Sequence, residues 1–340
     1  MARLAILGAT GAVGSTLLRV LEERSFPLDE LRLLASERSA GTLLQYAGGD
    51  LTVQAVGPRS FDGIDIAIFS AGATRSREWA PQAVAAGAVV VDNSSAFRMD
   101  EGVPLVVADV NPHAAHSHAG LIANPNCSTM QLMPVLSALH RRSPLEHVTV
   151  ATYQSVSGTG QSAIDALREQ SAAVLAGEQP PAGVYAHRIA FNVIPFAGSL
   201  QGEDGYTDEE LKLVNESRKI LELPDLRISA TCVRVPVVTS HSEAVWVRTR
   251  EPITADEARA LLAAEDGITV IDDPAADAYP MAIDAEGRDG VLVGRIRRDL
   301  GDPNALALWV VADNLRKGAA TNAVEIAELL VRESLLRSAA

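Results

Sequence analysis

Residues 2–8 are apolar over the length of a strand, the run breaks at Gly8-Ala-Thr-Gly11-Ala-Val-Gly14, and Leu17, Leu18 and Leu21 then recur at helical spacing. A strand, a glycine turn and a helix are predicted in that order. Residues 31–35, 64–69 and 88–91 are further short apolar runs, with a helix expected over 74–86 between the last two. Continuous apolar strands alternating with helices are what a parallel sheet covered on both faces requires. Roughly the first 125 residues therefore read as an α/β, doubly wound, Rossmann-type domain.

Beyond Cys127 the texture changes. Longer strands are expected at 148–156, 188–194 and 228–247, with helices at 128–139, 161–176 and 208–221. Period-two stretches such as Ala244, Val245, Trp246 and Val247 fit a mixed sheet in an α+β domain. A last helix over 319–336 carries Ala320, Ala323, Val324, Ala327, Leu330 and Val331 on one face and is expected to dock back on the first domain. The predicted division is thus 1–126 with 315–340 as the dinucleotide-binding domain, and 127–314 as a catalytic and dimerisation domain.

Composition narrows the classes. A chain of 340 residues exceeds what one core ordinarily holds, in line with two domains. Lys plus Arg is 29 against 43 Asp plus Glu, a formal charge of -14, which argues against a nucleic-acid footprint. The two cysteines make no disulfide framework and suit a reducing compartment. The opening residues carry only a short apolar run, so neither a signal peptide nor a membrane span is expected, and a cytoplasmic protein is.

In the glycine turn, Gly8 permits the bend, Gly11 lets a pyrophosphate approach the backbone and Gly14 lets the helix sit close to the strand. At the end of the second strand the chain reads Ser36-Glu37-Arg38-Ser39. Arg38 between two hydroxyls favours the 2′-phosphate of NADP, while Glu37 keeps the ribose hydroxyl of NAD open.

Cys127 follows Asn124-Pro125-Asn126 at the predicted start of a helix, where unpaired amides and the positive dipole end stabilise a thiolate and can cradle an oxyanion. Cys232, alternating within a strand, reads as structural. A thiolate beside a nicotinamide implies attack on an aldehyde, hydride transfer from the thiohemiacetal and release of the thioester to a second nucleophile. Proton transfer calls for a histidine, and His113, His116, His118, His140, His147, His187 and His241 are the candidates. The first three crowd a polar stretch without carboxylate or thiolate company, so a solvated loop is favoured there over a metal site, and no metal is expected. His140 and His147 read as surface.

Taken together, the glycine loop, Asn93-Ser-Ser-Ala-Phe-Arg98, Asn124-Pro-Asn-Cys127-Ser-Thr, Tyr153-Gln154-Ser-Val-Ser157-Gly158-Thr-Gly160, Arg234-Val-Pro-Val-Val-Thr-Ser-His241-Ser-Glu and Ala312-Asp-Asn314-Leu-Arg-Lys-Gly resemble the bacterial aspartate-β-semialdehyde dehydrogenases over nearly the whole chain. The resemblance implies NADP-dependent interconversion of aspartyl-β-phosphate with aspartate semialdehyde and phosphate, serving lysine, threonine, methionine and isoleucine synthesis. By motif position it implies Cys127 as acyl-thioester nucleophile, His241 as acid/base and Gln154 as the residue orienting substrate near the thiol. It further implies Arg234 on the α-carboxylate, Glu209 on the amino group, and Lys212 and Arg98 on phosphate. For the cofactor it implies Gly8, Thr10, Gly11, Ala12, Val13, Arg38, Ser39, Ser157, Gly158 and Asn314, and for assembly a homodimer or homotetramer. Thr321 departs from the aromatic residue of related members, with no catalytic consequence expected. Two alternatives stand beside this reading. N-acetyl-γ-glutamyl-phosphate reductase shares the thioester logic but sets its cysteine in Gly-Cys-Tyr-Pro-Thr, unlike Asn126-Cys127-Ser128-Thr129. A catalytically silent dinucleotide-binding relative would be expected to have lost the cysteine or the histidine.

Overall fold

The computed structural model describes residues 1–336 and divides them into two compact units, one of residues 1–126 with 319–336, the other of residues 127–318. The first unit carries β1 (Ala2–Leu7), α1 (Ala12–Glu23), β2 (Leu28–Ala35), β3 (Leu43–Tyr46), β4 (Gly49–Thr52), β5 (Gln54–Ala55), β6 (Ile66–Phe69), α2 (Ala73–Ala85), β7 (Val89–Asp92) and β8 (Leu121–Ala123). Six strands form a parallel sheet in the order β5-β2-β1-β6-β7-β8. Every residue of β6 and β7 is buried, which is why their sequences run apolar without alternation as far as Val91. The order reverses between β1 and β6, and in such sheets the carboxyl ends of the strands at that point open the ligand crevice. The hairpin of β3 and β4 is an addition that the sequence reading left out.

The second unit begins with α3 (Cys127–Arg142) and β9 (Leu145–Gln154), and continues through α4 (Gln161–Leu175), β10 (Leu200–Gln201), β11 (Tyr206–Thr207), α5 (Asp208–Ile220), β12 (Arg227–Arg234) and β13 (His241–Thr249). It closes with α6 (Ala255–Ala263), β14 (Ile268–Val270), α7 (Ala282–Ala285), β15 (Val291–Arg298) and β16 (Ala305–Ala312). Its mixed sheet runs β12-β9-β13-β16-β15-β14. α3 packs on β9, β13 and β16, α5 on β12, and α6 on β14 and β15. The side chains of Val150, Val245, Val247, Leu306 and Val310 form the covered face. On the opposite face Tyr153 and Trp246 are exposed, at 37% and 38%.

Three expected elements differ. The segment 188–194 is a loop, with only the bridge between Ile194 and Arg234. Its apolar residues Ile189 and Ala190 pack with Ala163, Ile164 and Leu167 of α4 instead of a sheet neighbour, and Asn192 Nδ2 donates to the Arg188 carbonyl to close a turn. The stretch 228–247 is two strands, because Pro236 cannot donate to a ladder and Ser240 turns the chain at φ 74°. The terminal helix is shorter: a π-helical turn, Arg316–Thr321, precedes α8 (Asn322–Arg332). α8 packs into the first unit's core through Ala323, Val324, Ala327 and Leu330. The expected boundary at 315 falls at 319, since the Asp313 carboxylate accepts from the amides of Leu315 and Arg316, and Arg316 pairs with Asp289. Residues 337–340 lie outside the described residues. Among the described residues no helix is long and apolar enough to cross a membrane.

Candidate active site

In the first unit, Gly8 has φ +96°, and a Cβ there would lie 2.4 Å from the Ser70 carbonyl oxygen. At Gly14 a Cβ would lie 2.3 Å from the Gly8 carbonyl oxygen. Both glycines are therefore dictated by the protein's own packing. Gly11 is not: a Cβ there would only touch the Gly8 oxygen at 3.5 Å. Gly11 is the N-cap of α1 and supplies no side-chain cap, so the amides of the first turn, at Ala12 and Val13, are left to an outside acceptor. Thr10 is exposed in the turn. Arg38 and Ser39 lie in a short 3₁₀ turn, Glu37–Ser39, immediately after β2, with Arg38 exposed.

Arg98 is also in this unit and is 7% exposed. Its Nε donates to the Asn124 carbonyl at 2.9 Å and its Nη2 to the Asn93 carbonyl at 2.8 Å, tying together the segments that leave β8 and β7. The start of that loop is fixed by Asp92, which accepts from Ser76 and Ser94 hydroxyls at 2.7 Å. Burial raises the Asp92 pKa, and these hydrogen bonds oppose the rise.

In the second unit, sheet register assembles the site. β12 and β9 place Arg234 opposite Gln154, and β13, on the other side of β9, begins at His241. Three side chains thus stand abreast at one end of three adjoining strands. The sequence separation hides this, but the strand order β12-β9-β13 produces it. Cys127 opens α3, where the helix start supplies amides and a positive dipole end. The next residue, Ser128, accepts from Gln154 Nε2 at 3.1 Å, so the nucleophile's helix is tied to the end of β9.

His241 is fully buried. Its Nδ1 accepts from the Ser155 backbone amide at 3.1 Å and lies 3.1 Å from the Ser155 hydroxyl. The Nε2 atom has no hydrogen-bond partner among the described residues. Burial, reinforced by the Arg234 guanidinium, lowers the imidazole pKa to about 3, and the Ser240 backbone pulls weakly the other way. Arg234 Nη1 donates to the Ser155 carbonyl at 2.7 Å, and its guanidinium stands 5.9 Å above the Tyr185 ring. A Cβ at Gly158 would lie 3.2 Å from His241 Nε2 and 3.3 Å from Arg234 Nη1. The two side chains converge on the space that this glycine leaves.

Asn314 and Ser157 sit behind them, 3% and 2% exposed. Asn314 Oδ1 accepts from the Ser157 hydroxyl at 3.0 Å, the Ser155 hydroxyl at 3.1 Å and the Ser240 amide at 2.9 Å. On α5, a capping box between Thr207 and Glu210 fixes the helix start. Glu210 also accepts from the Cys232 amide at 3.0 Å, which anchors α5 to β12. Lys212 then reaches Asp208 at 2.6 Å and Glu209 at 3.1 Å. Burial would discharge the ammonium, but the Glu209 and Asp208 carboxylates outweigh it and raise the Lys212 pKa.

The second unit therefore brings Cys127, Gln154, His241, Arg234, Ser157, Gly158 and Asn314 into one connected neighbourhood, with Glu209 and Lys212 paired on α5. Cys232 is buried, and burial raises its thiol pKa. His116 pairs with Glu333, His118 bonds the Leu335 carbonyl, and no metal-binding group occurs among the described residues. Sequence reading missed Ser155, which stood unremarked beside Gln154, and Ser240, whose strain no sequence signal announces. It also missed Asp208, and Gly318, where a Cβ would lie 2.8 Å from Cys127 Cβ.

A family model described as semialdehyde dehydrogenase, NAD binding domain, matches residues 3–118, and one described as semialdehyde dehydrogenase, dimerisation domain, matches 136–317. Aspartate-semialdehyde dehydrogenase of Aquifex aeolicus is 52% identical, covering 98% of this chain and 99% of its own. Aspartate semialdehyde dehydrogenase II of Vibrio cholerae, solved in complex with ASA, superposes with a TM-score of 0.95 at 48% identity, covering 98% of this chain and 99% of that one. The Candida albicans enzyme, solved with NADP, gives 0.76 at 25% identity, covering 98% and 99%. The chain belongs to the semialdehyde dehydrogenase family, and within it to the aspartate-semialdehyde dehydrogenases.

Proposed function

We propose that the protein reduces L-aspartyl-4-phosphate to L-aspartate 4-semialdehyde and phosphate through a thioester on Cys127. The observation that carries this is the linkage from Ser128 through Gln154 and Ser155 to His241, which holds a helix-start cysteine and a buried histidine in one frame. The cofactor supplies a hydride, and NADPH is favoured over NADH by the exposed Arg38 and the adjacent Ser39. The uncapped turn at Gly8, Thr10, Gly11, Ala12 and Val13 suits its pyrophosphate, and Ser157, Gly158 and Asn314 are assigned to it as well.

Gln154 orients the acyl group beside the thiol, and Arg234 takes the α-carboxylate with its planar fork. Glu209 meets the substrate ammonium, while Lys212 and Arg98 bind phosphate. His241 serves the carbonyl oxygen as it changes charge. The Vibrio cholerae relative's complex with ASA supports this choice of substrate. We further propose a homodimer through the exposed sheet face of Tyr153 and Trp246, in keeping with the dimerisation description of the second family model. The test is phosphate-dependent reduction of NADP with aspartate semialdehyde. Turnover of the acetylglutamyl analogue instead would favour the related reductase, and dinucleotide binding without turnover of either would favour a silent relative.

A further inference from the structure

Four donors and acceptors around His241 fix more than its position. A backbone amide can only donate, so the Ser155 N–H at 3.1 Å requires Nδ1 to present its lone pair. The Ser155 hydroxyl, also 3.1 Å from Nδ1, has Asn314 Oδ1 as an alternative acceptor at the same distance. Asn314 in turn cannot be turned over, because its Oδ1 receives the Ser240 amide, a second obligate donor. Ser240 has φ 74°, a conformation costly for a residue with a side chain, and the hydrogen bond that its backbone N–H donates to Asn314 Oδ1 holds that turn in place directly before His241. A proton on Nδ1 would face the Ser155 N–H head on, with the Ser240 carbonyl as the competing acceptor.

We propose that Ser155 is a positioning residue that sets the tautomer of His241, so that the resting imidazole is neutral with its proton on Nε2 and offers the substrate a hydrogen-bond donor. This rests on the reading that His241 meets the substrate. Nε2 is the atom that lacks a hydrogen-bond partner among the described residues, and it faces the space left by Gly158, beside Arg234 Nη1. An Nε2–H would therefore point into space where a carbonyl oxygen gaining charge could be stabilised, with Arg234 beside it for the α-carboxylate. The depressed pKa of His241 agrees with a ring that stays neutral.

Atom balance is compatible with this role. The Cys127 thiolate attacks the acyl carbon, the carbon–oxygen bond to phosphate breaks, and phosphate leaves with the electron pair and takes a proton from solvent. A hydride then adds to the thioester carbon. The resulting oxyanion re-forms the carbonyl as the carbon–sulfur bond breaks, and sulfur departs as thiolate. No step requires His241 to accept the thiol proton, and each passes through an oxyanion that an Nε2–H would stabilise. A neutral imidazole acting as a donor is an established catalytic device.

The test is ¹⁵N–¹H long-range correlation spectroscopy of histidine-labelled protein near neutral pH, with the His241 signals assigned by their loss in His241→Asn. The expected spectrum shows Nε2 protonated and Nδ1 bare. A proton on Nδ1, held by the Ser240 carbonyl, or a doubly protonated ring overturns the proposal. Ser155→Ala keeps the amide and should leave the tautomer unchanged. Ser155→Pro deletes the N–H at a position whose φ is already -65°, and should convert the signal to a tautomer mixture. An unchanged tautomer in that variant also overturns the role of Ser155, and if the variant does not fold, the wild-type spectrum decides. Since the measurement needs no substrate, an inactive protein with the expected tautomer would count against the proposed reaction and leave the role of Ser155 in setting the tautomer standing.

Discussion

Gly318 stands against Cys127 so closely that a methyl group on it would lie 2.8 Å from the cysteine Cβ and 3.2 Å from its Cα. Gly318 thereby walls one side of the nucleophile, and only glycine leaves the Cys127 backbone where α3 puts it. Gly318→Ala is expected to push the helix start aside. A displacement of even part of an ångström at a nucleophile lowers kcat by about tenfold or more. Turnover should fall while dinucleotide affinity, measured by titration, changes little; unaltered kcat would show that the wall is not tight.

The ion pairs on α5 make a different expectation. Lys212 is held charged by Asp208 and Glu209, so the loss of one carboxylate leaves it a second partner. Lys212→Met should raise the KM for phosphate in the oxidative direction, with aspartate semialdehyde saturating. Asp208→Asn should have a much smaller effect, because Glu209 remains. Equal effects of the two would place the phosphate contact elsewhere.

What the sequence disclosed followed how local the cause was. The glycine turn after β1 and the helix start at Cys127 were legible because a few consecutive residues dictate them: Gly8 and Gly14 by backbone clashes, Cys127 by Asn-Pro punctuation. The segment 188–194 was misread because Ile189 and Ala190 are apolar for the sake of α4, and periodicity does not say which neighbour buries a residue. The abreast arrangement of Arg234, Gln154 and His241 depends on strand order, which no residue spacing encodes. Composition offered His241 as one of seven histidines, and the family resemblance singled out all three residues.

Opposite pH dependences should be measurable at two buried groups on β13. Burial raises the Glu243 carboxyl well above its ordinary 4.5, tempered by Gln131 from α3. A raised acid pKa means that its contribution to stability is fullest while the unfolded carboxyl is also protonated and is lost as pH rises. Glu243→Gln should therefore be more stable than the parent, by a margin that grows as pH rises above the ordinary carboxyl value of 4.5. A margin that does not grow would mean that the carboxyl ionises in the fold.

His241 runs the other way. Its folded pKa lies at about 3 against an ordinary 6.5, so its contribution is present above 6.5 and is lost as pH falls toward 3. In His241→Asn, thermal unfolding should lose that portion of the acid destabilisation. The same slope in both proteins would show that the imidazole protonates freely in the folded state.

Cofactor choice is assigned to the exposed turn after β2. Arg38→Ala should weaken NADP binding while leaving NAD nearly unaffected, read as a fall in the ratio of kcat/KM for the two cofactors. An unchanged ratio would move the 2′-phosphate contact away from Arg38.

The whole scheme requires that the acyl group pass through sulfur on Cys127. Rapid quenching of the protein with aspartyl phosphate and no reduced cofactor, followed by peptide mass analysis, measures this directly. An aspartyl adduct on the peptide spanning Cys127, absent in Cys127→Ala together with turnover, is the expected result. Undiminished turnover by Cys127→Ala, or an adduct on another residue alone, would contradict it.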